Sequence, residues 1–209
     1  MKDKVIENNQ VKIIGEIVSS FSYSHQMYNE GFYMTDVKVQ RLSTNFDTIP
    51  VMVSERLLDM SEDYSGRLVC VTGQFRSYNH HEGKRNKLVL YVFAREVEFV
   101  PDVAGGAEGN KIYLDGYICK DPIFRDTPLK RKITDLLIAI NRPYGKCDYI
   151  PCICWGRNAY FASGFSVGER VQIWGRIQSR EYTKQISADV AEKRVAYEVS
   201  ISKLEQVKS

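Results

Sequence analysis

The chain repeats itself. Gly15-Glu16-Ile17 returns 101 residues later as Gly116-Tyr117-Ile118, and Ile49-Pro50-Val51 returns at the same offset as Ile150-Pro151-Cys152. MTDVKV, beginning at Met34, is echoed 99 residues on by ITDLLI, beginning at Ile133. Gly66 and Gly73 recur 102 residues on as Gly168 and Gly175, and LVLYVFAREVEFV from Leu88 recurs 107 on as VAYEVSISKLEQV. Five matched segments in one order mark an internal duplication. In 209 residues this leaves two small units of about 100 each. PDVAGGAEGN lies between them, rich in Gly and Ala and without a large apolar residue. The expected organisation is a unit over 1–100, a flexible linker over 101–110 and a second unit over 111–209.

Each unit reads as all-β. VKIIGEIV, DVKVQRL, TIPVMVS, GRLVCVTGQF and LVLYVFAREVEFV are short and rich in β-branched and aromatic residues. Alternation is clearest where Leu68, Cys70 and Thr72 interleave with Val69, Val71 and Gly73. ERLLDMSEDYSG and its counterpart RNAYFASGFSVG suit a short helix between the third and fourth strands. Five strands with a helix at that point is the order of an OB-fold, a small Greek-key barrel. Gly73 and Gly175 suit the sharp bend of a barrel strand. The fold class expected is therefore all-β, two tandem OB-folds.

Several function classes lack their signatures. There is no phosphate-binding P-loop, nucleophile elbow, HExxH helix or Gly-rich dinucleotide loop. His80 and His81 sit in SYNHHEGKRNK, which reads as a solvated hairpin tip, so no enzyme activity is expected. Five cysteines, an odd number, suggest reduced thiols. Cys147, Cys152 and Cys154 cluster without further zinc ligands nearby and read as strand cysteines, so no metal or cofactor is expected. MKDKVIENNQ lacks the apolar core of a signal peptide and no run reaches membrane-spanning length, so a cytoplasmic protein with no membrane contact is expected.

Charge separates the two units. Residues 1–100 hold 12 Lys and Arg against 13 Asp and Glu, whereas residues 111–209 hold 17 against 11. A polyanionic partner belongs with the second unit. That unit also interleaves cations with aromatics, which is what unpaired bases and their phosphates require. Tyr144 lies between Arg142 and Lys146. Tyr149 and Trp155 flank the third strand, with Arg157 following. GRIQSREYTK carries Arg176, Arg180, Tyr182 and Lys184, and FRDTPLKRK carries Phe124, Arg125, Lys130, Arg131 and Lys132.

GYICKDPIFRDTP, the AINR that ends the second strand, the CWG that ends the third, and GRIQSREY in the fourth occur in that order. Over nearly all of residues 111–207 the chain resembles the bacterial single-stranded DNA-binding protein family. Residues 11–100 resemble it more weakly, through the duplication. The resemblance implies the OB-fold and sequence-independent binding of single-stranded DNA in replication, repair and recombination. It implies base-stacking roles for Tyr144, Tyr149, Trp155 and Tyr182. Phosphate-facing roles fall on Arg125, Arg157 and Arg180, with Arg176 at a position often basic. Four OB-folds commonly assemble in the family, so two per chain imply a homodimer.

Three departures shape the expectation. The chain ends SKLEQVKS in place of an acidic tail with an apolar tip, so recruitment of replication or repair proteins by such a tail is not expected. The first unit has Thr48, Ser54 and His80 where the second has Tyr149, Trp155 and Tyr182. Tyr78, Phe75 and Arg76 are its possible substitutes, and it is expected mainly to support assembly. Trp174 holds an outward position that is commonly acidic in the family, suited to a subunit interface. Two other readings stay open: a primosomal-type assembly adaptor on the same fold, and an RNA-binding OB protein.

Overall fold

Strand β1 (Asn9–Ile17) turns Val11, Ile13 and Ile17 inward and leaves Lys12 in solvent; its counterpart β7 (Asn110–Ile118) turns Ile112, Leu114 and Ile118 inward. This period of two buries one face and fixes the register, because a one-residue slip would expose every apolar side chain. The computed structural model describes residues 7–82, 85–101, 109–185 and 191–207. Most of the expected linker, residues 102–108, lies outside them.

The first half continues with β2 (Ser22–Met27), β3 (Glu30–Gln40), β4 (Phe46–Ser54), β5 (Leu68–Glu82) and β6 (Arg85–Phe99). The second continues with β8 (Ile123–Asp126), β9 (Lys132–Asn141), β10 (Cys147–Trp155), helix α1 (Arg157–Ala162), β11 (Arg170–Gln185) and β12 (Ala191–Gln206). In the first half β1 pairs with both β3 and β5, β3 with β4, and β5 with β6; the β4–β6 pair is parallel and closes the barrel. The second half repeats this with β7, β9, β10, β12 and β11. The architecture is two tandem OB-folds, all-β apart from α1 and a 3-10 turn at Pro143–Gly145 among the described residues. Among the described residues no helix is long and apolar enough to cross a membrane.

The sequence reading needs two corrections. Each half has a sixth strand, β2 or β8, hydrogen-bonded to the outer edge of β3 or β9. Every residue of β2 and β8 is exposed, so neither has the alternation that betrays a strand. The expected helix forms only in the second half, where Ala159 and Ala162 of α1 are buried and the Thr134 hydroxyl donates to the Ala159 carbonyl at 2.7 Å. In the first half residues 55–66 form turns. There Asp59 accepts the Ser61 N–H at 2.9 Å and Asp63 accepts the Ser65 N–H at 2.9 Å, and such local bonds compete with a helix.

The barrels are joined edge to edge. β1 and β7 pair antiparallel, with Val11 opposite Ile112, so one sheet runs through both halves. The fully buried Ile13, Ile49, Val69, Phe75 and Val92 fill one barrel, and Leu114, Ile138, Ile150, Ile173 and Ile177 fill the other. Each such side chain contributes about 1.5–3 kcal/mol of hydrophobic stabilisation. Cys152 and Cys154 lie in the second core, and burial pushes the Cys154 thiol up to about 12.

Candidate nucleic-acid interface

The four rings to which the resemblance gives stacking roles, Tyr144, Tyr149, Trp155 and Tyr182, all reach solvent. On β10, Tyr149 and Trp155 are six residues apart and share the outward face, while Ile150, Cys152 and Cys154 face the core. At about 3.3 Å per residue this sets them roughly 20 Å apart along the strand. They are 42% and 36% exposed, Tyr182 is 37% exposed and Tyr144 96%. Tyr144 stands at the tip between β9 and β10 with φ +62°, a left-handed conformation that a closed turn imposes.

Tyr182 lies beyond the barrel, on the arm that β11 and β12 form together. A bulge at Trp174/Gly175 redirects β11 toward that arm. Gly175 is required there because a Cβ would run into the Ser200 carbonyl oxygen. Gly73 holds the matching bulge in β5, against the Phe93 carbonyl.

The cations divide into exposed and engaged groups. Arg157, the first residue of α1, and Lys184 are exposed. Arg180 is exposed, lies 5.9 Å from the Tyr182 ring centroid and reaches Glu198 only at 4.0 Å. Arg125 is half-exposed and forks onto Asp135 at 2.6 and 3.2 Å, so a phosphate would have to share it. Arg176 departs from the expected phosphate-facing role. It bonds Asp47 of the other barrel at 3.1 Å and Gln178 at 3.1 Å, and its partial burial lowers the guanidinium's affinity for a proton.

The first barrel also differs from the expectation. Phe75 is fully buried and belongs to the core. Arg76 lies over the Phe93 ring at 4.7 Å and donates to Gln74 at 2.6 Å. Of the three possible substitutes only Tyr78 is exposed as a ring, beside Tyr91 at 5.9 Å. Exposed aromatics missed from sequence lie around β2: Tyr23, edge-on to Tyr33 at 5.6 Å, and Tyr28 in the turn. Phe46 carries the Lys38 ammonium at 4.2 Å. In the second barrel the missed ring is Tyr160, 5.1 Å from Phe124, which the sequence did name. Alternating strand patterns do not flag rings on fully exposed segments.

A polar frame holds the barrels in place. Asn9 donates to the Phe75 carbonyl at 2.7 Å and accepts the Phe75 N–H at 2.9 Å; Asn110 does the same for Ile177 at 2.8 and 2.9 Å. Each buried amide extends a ladder past the point where the backbone pairing ends. Across the junction Asp47 accepts the Ser179 N–H at 2.7 Å, and Asp148 accepts the Ser77 N–H at 2.7 Å. Arg41 holds Asp47 at 2.6 and 2.9 Å, which raises the guanidinium's affinity for its proton.

Comparison with known proteins agrees with this geometry. Residues 109–207 match the family model described as "Single-strand binding protein family". A "Single-stranded DNA-binding protein" of Oceanobacillus iheyensis is 34% identical over 83 residues, 36% of this chain and 52% of that protein. "Single-stranded DNA-binding protein A" of Bacillus subtilis is 31% identical over 83 residues, 36% of this chain and 48% of that protein. The chain thus spans about half the length of the curated relatives it matches. The crystal structure of the wild-type single-stranded DNA binding protein from Thermus aquaticus superimposes with a TM-score of 0.77, covering 96% of this chain and 93% of that one at 18% identity. That likeness supports the fold and runs through both barrels. Residues 109–207, the second barrel, carry the likeness to that family.

Proposed function

We propose that the chain binds single-stranded DNA without regard to sequence, chiefly on its C-terminal barrel, and carries out no chemistry on it. The observation that carries this reading is the set of exposed rings on β10, its preceding turn and the β11 arm. Tyr144, Tyr149, Trp155 and Tyr182 stand among the exposed cations Arg157, Arg180 and Lys184. Each stacked base is worth about 1–3 kcal/mol, so three or four platforms with phosphate contacts suffice for tight binding. Arg125 contributes where a phosphate outcompetes Asp135, and Arg176 serves the barrel junction. The roles that fit are protection of single strands in replication, repair or recombination, in the cytoplasm. The functional units are residues 1–100 and 111–209 joined through 101–110.

A homodimer carrying four barrels fits the outward face of the joined sheet. Trp174 there lies 5.2 Å from Tyr113 and under the Lys203 ammonium at 4.3 Å, a flat aromatic surface beside the β1–β7 junction. Anisotropy of a labelled oligo-dT, titrated at several salt concentrations, tests the DNA reading. Affinity should fall steeply with salt as counterions are released, and competition by poly-U weaker than by poly-dT is expected. Binding that is absent, or insensitive to salt, would overturn it.

A further inference from the structure

Two seams join the barrels, and each is built around a serine of β5 or β11. In the first, Asp47 accepts the Ser179 N–H at 2.7 Å, the Ser179 hydroxyl meets the same carboxylate at 3.2 Å, and the residue after Asp47 is Thr48. In the second, Asp148 accepts the Ser77 N–H at 2.7 Å, and the residue after Asp148 is Tyr149. The Ser77 hydroxyl oxygen also accepts the Tyr149 N–H at 2.7 Å, so two consecutive residues of β10 are tied to one residue of the other barrel. Ser77 is buried, at 4% exposure, while Tyr149 turns its ring outward.

This bond falls where β10 has one backbone neighbour. β9 runs along one side of β10 from Cys147 to Trp155, whereas β12 meets the other side at Cys152 and Ile153. At Tyr149 that second side is closed by Ser77. Side chains stand roughly perpendicular to the sheet, so a strand tied on both sides sets the direction in which its rings project. A ring already held in its bound position loses less freedom when its ligand arrives. We infer that Ser77 of the N-terminal barrel is a positioning residue for base stacking on Tyr149, by which the first barrel strengthens binding on the second without touching the DNA. The inference rests on the single-stranded DNA reading.

The test is the anisotropy of a labelled oligo-dT titrated with the full chain. Ser77→Ala and Ser179→Ala each lose a hydroxyl and keep the backbone N–H that Asp148 or Asp47 accepts. Ser77→Ala should bind roughly three- to tenfold more weakly than wild type, part of what one stacked base contributes. Its salt slope should match wild type, because no phosphate contact is lost. Ser179→Ala should bind as wild type does. In a double-mutant cycle, Ser77→Ala should cause no further loss once Tyr149→Ala has removed the ring. Unchanged affinity in Ser77→Ala, a loss of equal size with and without the Tyr149 ring, or an equal loss in Ser179→Ala would overturn the positioning role; binding by wild type would still uphold the DNA reading. A wild type that binds no oligonucleotide overturns the DNA reading itself.

Discussion

The Asp148 carboxylate accepts the Ser77 backbone N–H at 2.7 Å and thereby fastens β10 of one barrel to β5 of the other. Asp47 and Ser179 repeat the contact at 2.7 Å across the first seam. Both aspartates are almost completely buried, and each stands beside at least one guanidinium. Removing either carboxylate strands a buried N–H and leaves cations facing one another. Asp47→Ala and Asp148→Ala should each cost about 2–4 kcal/mol in urea unfolding. A loss under about 0.5 kcal/mol would show that the seams do not lock the barrels.

Asp148 also sets a pH dependence. Burial pushes its carboxyl above the usual carboxylate range, against the pull of the Ser77 N–H and of Arg142 and Arg76. The native chain therefore holds this proton more tightly than the unfolded chain does. Between the ordinary and the raised pKa, stability from this group falls as pH rises, and it returns on acidification. Thermal midpoints of wild type and Asp148→Asn, compared from about pH 7 down to about pH 4, isolate the effect from other carboxylates. Acidification should shift the difference in favour of wild type; a shift the other way would contradict the assignment.

The bulge glycines are predicted to be irreplaceable. A Cβ at Gly175 meets the Ser200 carbonyl and one at Gly73 meets the Phe93 carbonyl, and neither obstacle is a movable side-chain end. Gly175→Ala and Gly73→Ala should each destabilise by about 1–3 kcal/mol, read as a lowered unfolding midpoint. Gly164→Ala, whose added Cβ has only the Phe161 carbonyl at 3.6 Å, should be near neutral and serves as the control.

Asn9 and Asn110 give a further prediction. Each amide closes a two-bond ring with β5 or β11, and both residues are buried. Asn9→Ala and Asn110→Ala should each cost about 1–3 kcal/mol, since a backbone N–H and C=O lose their partners in the interior. Similar losses from the two variants, measured by chemical denaturation, would reflect their matching roles; a neutral result for both would contradict it.

The duplication and the period-two runs carried most of the fold, because burying one strand face leaves its mark on every second residue. Gly73 and Gly175 were legible as bends for the same reason: only a residue without a side chain fits where two backbones cross. β2 and β8 were not legible, since fully exposed strands carry no alternation. The Asp59 and Asp63 turns were hidden inside a pattern that suits a helix equally well. At the candidate site, motif order located Tyr149, Trp155 and Tyr182 on exposed surface. It could not reveal that Arg176 is taken by Asp47, because that pairing joins residues 129 apart through the docking of two barrels. Phe75 and Tyr78 look alike as substitutes in sequence, and only the strand's facing separates the core ring from the exposed one.

If the outward face of β10 receives bases, as proposed, the two tryptophans allow that contact to be tested alone. Trp155 lies on that face, whereas Trp174 lies against Tyr113 and Lys203 beside the barrel junction. Fluorescence titration with oligo-dT should show strong quenching in wild type and in Trp174→Phe, where Trp155 remains. It should show little in Trp155→Phe, which should also bind more weakly. Quenching that persists in Trp155→Phe and vanishes in Trp174→Phe would place the strand elsewhere and contradict the account.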